Sequence, residues 1–282
     1  NIVSRKVFSR FVIFLPKLLE IAKNSEIGSS MYNYSIQAFV NISHFLNKTT
    51  LMPHDNFETL KYCEDLCHFT SQYKDPKNLD VFIDSVRVCA LSFHLTINIV
   101  FKSINLISYF ECYEKVSILE AVIKLTLCLM PKPDDGLIEL FPQDEFKWAS
   151  LEISDELIAF VKDVIPHICR LYFTKLPISK LCIQALTYFV YSKSFQFPLL
   201  NQIVYMMHFN MTDSSFVPYI LAIANECLKT NNNIEAILKT KLIERCIDNQ
   251  PENSNICAKL INEIKTKLPN ENENIQFSNL MN

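Results

Sequence analysis

Residues 155–194 read DELIAFVKDVIPHICRLYFTKLPISKLCIQALTYFVYSKS. Leu157, Phe160, Val161, Val164, Ile168 and Leu171 recur at steps of three and four, the spacing of one α-helical face. Ile178, Leu181, Cys182, Ala185, Leu186, Phe189 and Val190 then repeat the pattern. Only Thr174–Pro177 separates the two runs, so they must fold back as antiparallel neighbours. The stretch specifies a helical hairpin and carries no chemistry of its own.

Composition extends that reading to the whole chain. There are 2 glycines in 282 residues, Gly28 and Gly136. A glycine-rich phosphate cradle cannot be built from them, and a fold with many two-residue hairpins is disfavoured. With 49% hydrophobic residues the chain can bury a large core or a row of small ones. The expectation is an all-α fold. Net charge is −3, so no global field draws the chain to nucleic acid or anionic lipid. The first helix does carry Arg5, Lys6, Arg10, Lys17 and Lys23, most of which fit a solvated face.

Apolar periodicity places helices near Val3–Lys23, Met31–Asn47, Asn56–Tyr73 and Tyr113–Met130. The first has Val7, Phe11, Phe14, Leu15, Leu18 and Leu19 on one face. Asn78 is a candidate N-cap for the helix after the Asp75–Asn78 loop, and a break is expected between His94 and Asn105. The most apolar long stretch, Val86–Phe110, is interrupted by Arg87, His94, Asn98, Lys102 and Asn105, which argues for a buried helical element and against a membrane span. Further helices are expected at Pro198–Phe209, Ser214–Thr230, Asn233–Asp248 and Asn253–Leu268. Four regions follow: helical repeats over 1–130, a long acidic, proline-containing loop over 131–153, further repeats over 154–268, and a disordered tail over 269–282. The first residue is Asn1 rather than Met, so a piece of a longer protein or a processed chain is expected.

Pro166 marks a possible repeat. Val164-Ile165-Pro166-His167-Ile168-Cys169-Arg170-Leu171 has apolar residues at five set places around the proline. Phe14–Ile21 around Pro16 and Phe216–Ile223 around Pro218 match at the same five. Chance would supply about 0.3 such matches among the 12 prolines. A proline inside a helix removes one backbone hydrogen bond and bends the axis. This pattern resembles the first helix of HEAT repeats, and Pro177 with Ile178–Leu186 is similar to their turn and second helix. The hairpin as a whole looks like a HEAT or armadillo unit. The resemblance is carried by 155–248 and extends by the Pro16 motif to 3–47, leaving open whether 1–130 continues the same stack. It implies stacked antiparallel hairpins forming an irregular α-solenoid, and a role in binding a partner peptide or helix along a groove.

Candidate chemistry is sparse. Cys63-x3-Cys67-His68 is the nearest approach to a metal motif, but His68 is turned about 100° from the two thiols and no second pair follows at zinc spacing. No catalytic, cofactor-binding or metal-binding residues are expected. The six histidines are scattered without a local carboxylate or thiol partner. The ten cysteines lie mostly in apolar runs as small buried hydrophobes, a usage that favours an intracellular compartment, cytoplasmic or nuclear. Sequons beginning at Asn41, Asn47 and Asn210 stand against it. The 131–153 loop holds Asp134, Asp135 and Glu139 with Phe146 and Trp148, either a docking patch for a basic partner or a solvated linker whose tryptophan tucks onto the helices. The function expected is a non-catalytic protein-interaction scaffold or adaptor, a domain of a larger intracellular complex, with no small-molecule substrate and no cofactor. The alternative is a nucleic-acid- or chromatin-associated helical domain using the basic N-terminal helix.

Overall fold

A computed structural model describes residues 14–49, 57–92, 96–133, 140–141, 148, 155–191, 216, 218–220, 222–223 and 262. Helix accounts for 82% of them and no strand occurs among them, so the fold is all-α over the described residues. The expected helices over 198–209, 233–248 and most of 253–268, and the tail over 269–282, lie outside them. The chain divides into two compact units, Asn1–Lys132 with Gln143–Ile153, and Pro133–Pro142 with Ser154–Asn282.

The first unit contains α1 (Phe14–Asn24), α2 (Ser30–Thr49), α3 (Phe57–Gln72), α4 (Leu79–Ser92), α5 (Thr96–Ser103), α6 (Leu106–Cys112) and α7 (Val116–Cys128). Gly28, at φ +88°, lets the chain reverse between α1 and α2. The Ser29 hydroxyl then accepts the Tyr32 amide at 3.2 Å and caps α2. Between α3 and α4 the Lys77 amide donates to Asp75 Oδ1 at 2.9 Å, closing a side-chain turn. Asn78 takes the N-cap place, its carbonyl accepting from Val81 and Phe82. The expected break falls at Ile104–Asn105: Asn105 starts α6 by accepting the Ser108 amide on its side chain.

Phe82 on α4 is fully buried and joins three helices. It stacks on Phe39 of α2 at 4.9 Å between ring centroids. It also meets Phe69 of α3 at 5.2 Å and Tyr73, just past α3, at 4.7 Å. Such pairs each add about 0.5–1.5 kcal/mol beyond the area they bury. Helix α4 buries Leu79, Val81, Phe82, Ile83, Val86, Val88, Cys89 and Ala90, which covers nearly all its faces. It is therefore a central helix, packed most extensively on α7. The two run parallel. Lys115, just before α7, donates to the carbonyls of Pro76 and Lys77 just before α4, and Cys128 at the far end of α7 donates to the Arg87 carbonyl.

In the second unit, α8 (Asp155–Thr174) passes through Pro166 without ending. A short 3₁₀ turn, Leu176–Ile178, leads into α9 (Ser179–Tyr191), and the two helices pack together as expected. Leu157, Val161, Val164, Ile165, Ile168 and Leu171 are buried, while Phe160 is only half-buried. Leu140 and Phe141 form a turn and a bend. Phe141 is buried edge-on against Tyr188 and Tyr219 at 6.3 and 6.5 Å. The Tyr219 hydroxyl donates to the Leu140 carbonyl at 2.9 Å and accepts from Gln184 Nε2 at 2.8 Å.

The proline motifs do not share one burial register. At Pro166 the residues two before, two after and five after (Val164, Ile168, Leu171) are buried, as are Phe216, Ile220 and Ile223 around Pro218. At Pro16 the corresponding Phe14 and Ile21 are 51% and 38% exposed, and Leu15, Leu19 and Ala22 are buried instead. The expected core place of Phe14 is thus corrected: α1 is turned by about one residue, or about 100°, so the N-terminal match is one of letters.

Phe82→Ala is expected to cost about 3–5 kcal/mol, because the void opens among three helices at once. Tyr34→Ala, at a side chain 75% exposed, should change stability by less than about 0.5 kcal/mol. Urea unfolding of the two variants checks both figures. Tyr219→Phe should cost about 1–3 kcal/mol by leaving the buried Gln184 amide unpaired. Adding Gln184→Leu should restore part of that loss, and the same unfolding measurement reads it.

Candidate functional site

A cleft of about 270 Å³ opens in the first unit where α2, α4 and α7 come together. His44 of α2, Asp80, Asp84 and Arg87 of α4, and Ser117, Glu120 and Lys124 of α7 supply its polar lining. The parallel packing of α4 and α7 explains why these residues meet. Asp80 and Ser117, Asp84 and Ala121, and Arg87 and Lys124 are each 37 residues apart, and all six line the cleft. Two parallel helices, α4 and α7, thus present side chains to the cleft at repeated positions.

Two of the charge pairs lie within single helices. Arg87 Nε is 2.6 Å from Asp84 Oδ1, three residues earlier, and Lys124 Nζ is 2.6 Å from Glu120 Oε1, four residues earlier. Asp80 is placed differently. Its nearest cation, Lys115 Nζ, stands 3.6 Å away and is committed to two backbone carbonyls at 2.9 and 3.0 Å. Asp80 Oδ1 and Ser117 Oγ are both buried and have no hydrogen-bond partner among the described residues.

The thiols of the Cys63-x3-Cys67 pair face the core and are fully buried, with Cys89 of α4 beside them. His68 points outward, with its Nε2 3.0 Å from Gln72 Nε2. Burial pushes the Cys67 thiol up to about 12. A hydrogen bond with Cys63, and then burial, hold Cys89 well above the usual thiol range. Tyr62, whose buried hydroxyl has no hydrogen-bond partner among the described residues, is raised by burial and by the three neighbouring thiols. Among the described residues no group of three or more His, Cys, Asp or Glu is placed to hold a metal ion. Nor is any helix among them long and apolar enough to cross a membrane.

Of the residues expected to form a docking patch, Asp134, Asp135, Glu139 and Phe146 lie outside the described residues, and Trp148 is half-buried. On the basic N-terminal helix, Arg5, Lys6 and Arg10 lie outside them too. Lys17 is exposed, and Lys23 is engaged with Asp65 of α3 at 2.6 Å. The cleft residues were missed in the sequence because each is an ordinary polar residue on its own helix. Aligning residues 79–87 on 116–124 was the signal that could have found them. No protein-family model and no curated protein matches the chain.

Thiols raised from 9.0 to about 12 make the fold sensitive to alkali. The unfolded chain ionises Cys67 and Cys182 above about pH 9 while the folded chain keeps them protonated. Their contribution is complete below pH 9 and is lost progressively as pH rises towards 12. Urea midpoints are therefore expected to fall between pH 8.5 and 10.5. At the lower pH a thiol reagent should label the exposed Cys112 while sparing Cys63, Cys67 and Cys89 until the chain unfolds.

Proposed function

We propose that the chain is an irregular stack of HEAT- or armadillo-like helical hairpins. We further propose that it serves as a non-catalytic scaffold, binding a partner polypeptide in the cleft across α2, α4 and α7. The observation that carries this reading is the shared separation of the long-range hydrogen bonds in the first unit. Lys23–Asp65, Tyr109–Thr70, Lys115–Pro76, Lys115–Lys77 and Cys128–Arg87 link residues 42, 39, 39, 38 and 41 apart. In the second unit Gln184–Tyr219 spans 35, and Tyr219–Leu140 spans 79. In a solenoid each hairpin touches only its neighbours, so contacts gather at one repeat length, about 40–47 residues for HEAT and armadillo units.

The cleft's shape and content support a protein partner. A groove floored by parallel helices, with polar side chains repeating along it, suits side chains and backbone of an extended or helical segment. The chain works in this reading inside a larger intracellular assembly, supplying a surface and no reaction.

A photo-crosslinking amino acid at Glu120, whose side chain is 42% exposed at the cleft, tests the proposal in native extract. It should capture a discrete protein that the same group at the exposed Glu20 of α1 does not. Capture of nucleic acid at Glu120, or equal capture at both positions, would contradict it.

A further inference from the structure

We infer that the exposed apolar face of the α1–α2 hairpin is an interface through which two copies of this chain associate. The inference goes beyond the scaffold reading and uses a different surface. Five of the six exposed large hydrophobic side chains among the described residues fall between Phe14 and Tyr34. They are Phe14 (51% exposed), Ile21 (38%), Ile27 (84%), Met31 (61%) and Tyr34 (75%). Phe14, the half-buried Leu18 and Ile21 follow at steps of four and three, a stripe on α1 turned about 100° from the buried Leu15, Leu19 and Ala22. Met31 and Tyr34 stand three apart at the start of α2, and Ile27 lies in the bend between the helices. The two helices pack on one another, so the bend brings Ile21 and Met31 to the same end of the hairpin. Tyr34 precedes His44 of the cleft by ten residues, about 15 Å along α2.

The composition of this face points to its occupant. From Ile27 to Asn47 the chain has no Asp, Glu, Lys or Arg, although these make up 20% of its residues. Asn33, Gln37 and Asn41 are the exposed polar neighbours, all uncharged. Such a surface offers no cations to lipid headgroups or nucleic acid, and the absence of charge beside Tyr and Met is the composition of a protein interface core. It also suits contact with itself. In a two-fold pair each patch meets its own copy, where a charged centre would face like charge.

The charges on α1 are arranged for self-pairing. Lys17 and Glu20 are both exposed and lie on the same flank of the Phe14–Leu18–Ile21 stripe. When two α1 helices run antiparallel about a two-fold axis near Leu18, Phe14 meets Ile21 of the second copy. Lys17 then meets Glu20 of the second copy, and the pair occurs twice. Area sets the strength. At about 200 Å² for a fully exposed large side chain, the five residues present about 600 Å² per copy. Two copies would bury about 1,200 Å², the low end of specific interfaces, so a dissociation constant in the micromolar range is expected.

Sedimentation velocity of the chain from about 2 to about 200 µM tests the inference. The species should move from the mass of one chain, 32.7 kDa, towards twice that mass. Met31→Asp places a negative charge in the first turn of α2, where the helix tolerates it, and should weaken association at least about tenfold. Phe173→Lys, at the exposed apolar side chain near the end of α8, should leave association unchanged. Lys17→Glu and Glu20→Lys should each weaken it about three- to tenfold, and the double variant should return it to the parent's strength.

A mass that stays at one chain up to about 200 µM would overturn the inference. So would full association in Met31→Asp, an equal loss in Phe173→Lys, or a double variant weaker than both single ones. Dilute hydrogen peroxide and vesicles of phosphatidylcholine read the other occupants. A chain of single mass whose Met31 resists oxidation has another of its own segments on this face. One of single mass that pellets with the vesicles has a lipid surface there, and either result overturns the inference. Urea unfolding like the parent's establishes that a variant is folded, and the charge-swap series carries the test where Met31→Asp is not. Capture at Glu120 in native extract reads the scaffold separately. Loss of self-association leaves that reading standing, and a second copy captured at Glu20 is recognised by this chain's own mass.

Discussion

Phe82 sets the geometry on which the first unit depends. Its ring lies against α2, against α3 and against the turn that begins α4, so α4 cannot slide or rotate without breaking three aromatic contacts. That fixed axial position has a consequence on the other side of the helix. With α4 held in register, Lys115 can reach the carbonyls at its start and Cys128 the Arg87 carbonyl further along, which aligns α7 parallel to it. The cleft lining is the product of that alignment. Core packing thereby decides which polar side chains face one another.

Several buried polar groups are satisfied within their own helices: Thr70, Ser85, Thr126 and Thr187 each donate to a carbonyl four residues back. Tyr219 and Gln184 close a network with the Leu140 carbonyl. Asp80 Oδ1 and Ser117 Oγ, like the Tyr62 hydroxyl, are buried without a hydrogen-bond partner among the described residues.

Much of the fold was legible from spacing alone. Cys63, Leu66, Cys67 and Thr70 recur at helical steps because they share the buried face of α3, and all four are fully buried. The α8–α9 hairpin lies where its periodicity places it, because only a short turn separates two strong apolar faces. Phe14 shows where such reasoning fails. Its neighbours allow two overlapping apolar stripes on α1, and only packing on α2 and α3 selects the one through Leu15 and Leu19. The site was less legible than the fold. A loop with clustered acids and the lone tryptophan draws the eye in a sequence, whereas Asp80, Arg87, Ser117 and Lys124 become a group only once α4 and α7 are seen to run side by side.

The central claim is that the partner lies in the cleft made by α2, α4 and α7. Hydrogen–deuterium exchange of the chain with its captured partner bound, against the chain alone, tests it most directly. The account predicts added protection in the segments covering Asp80–Arg87 and Ser117–Lys124, with little change in α1. Protection confined to the Asp134–Trp148 segment, with α4 and α7 unaltered, would contradict it.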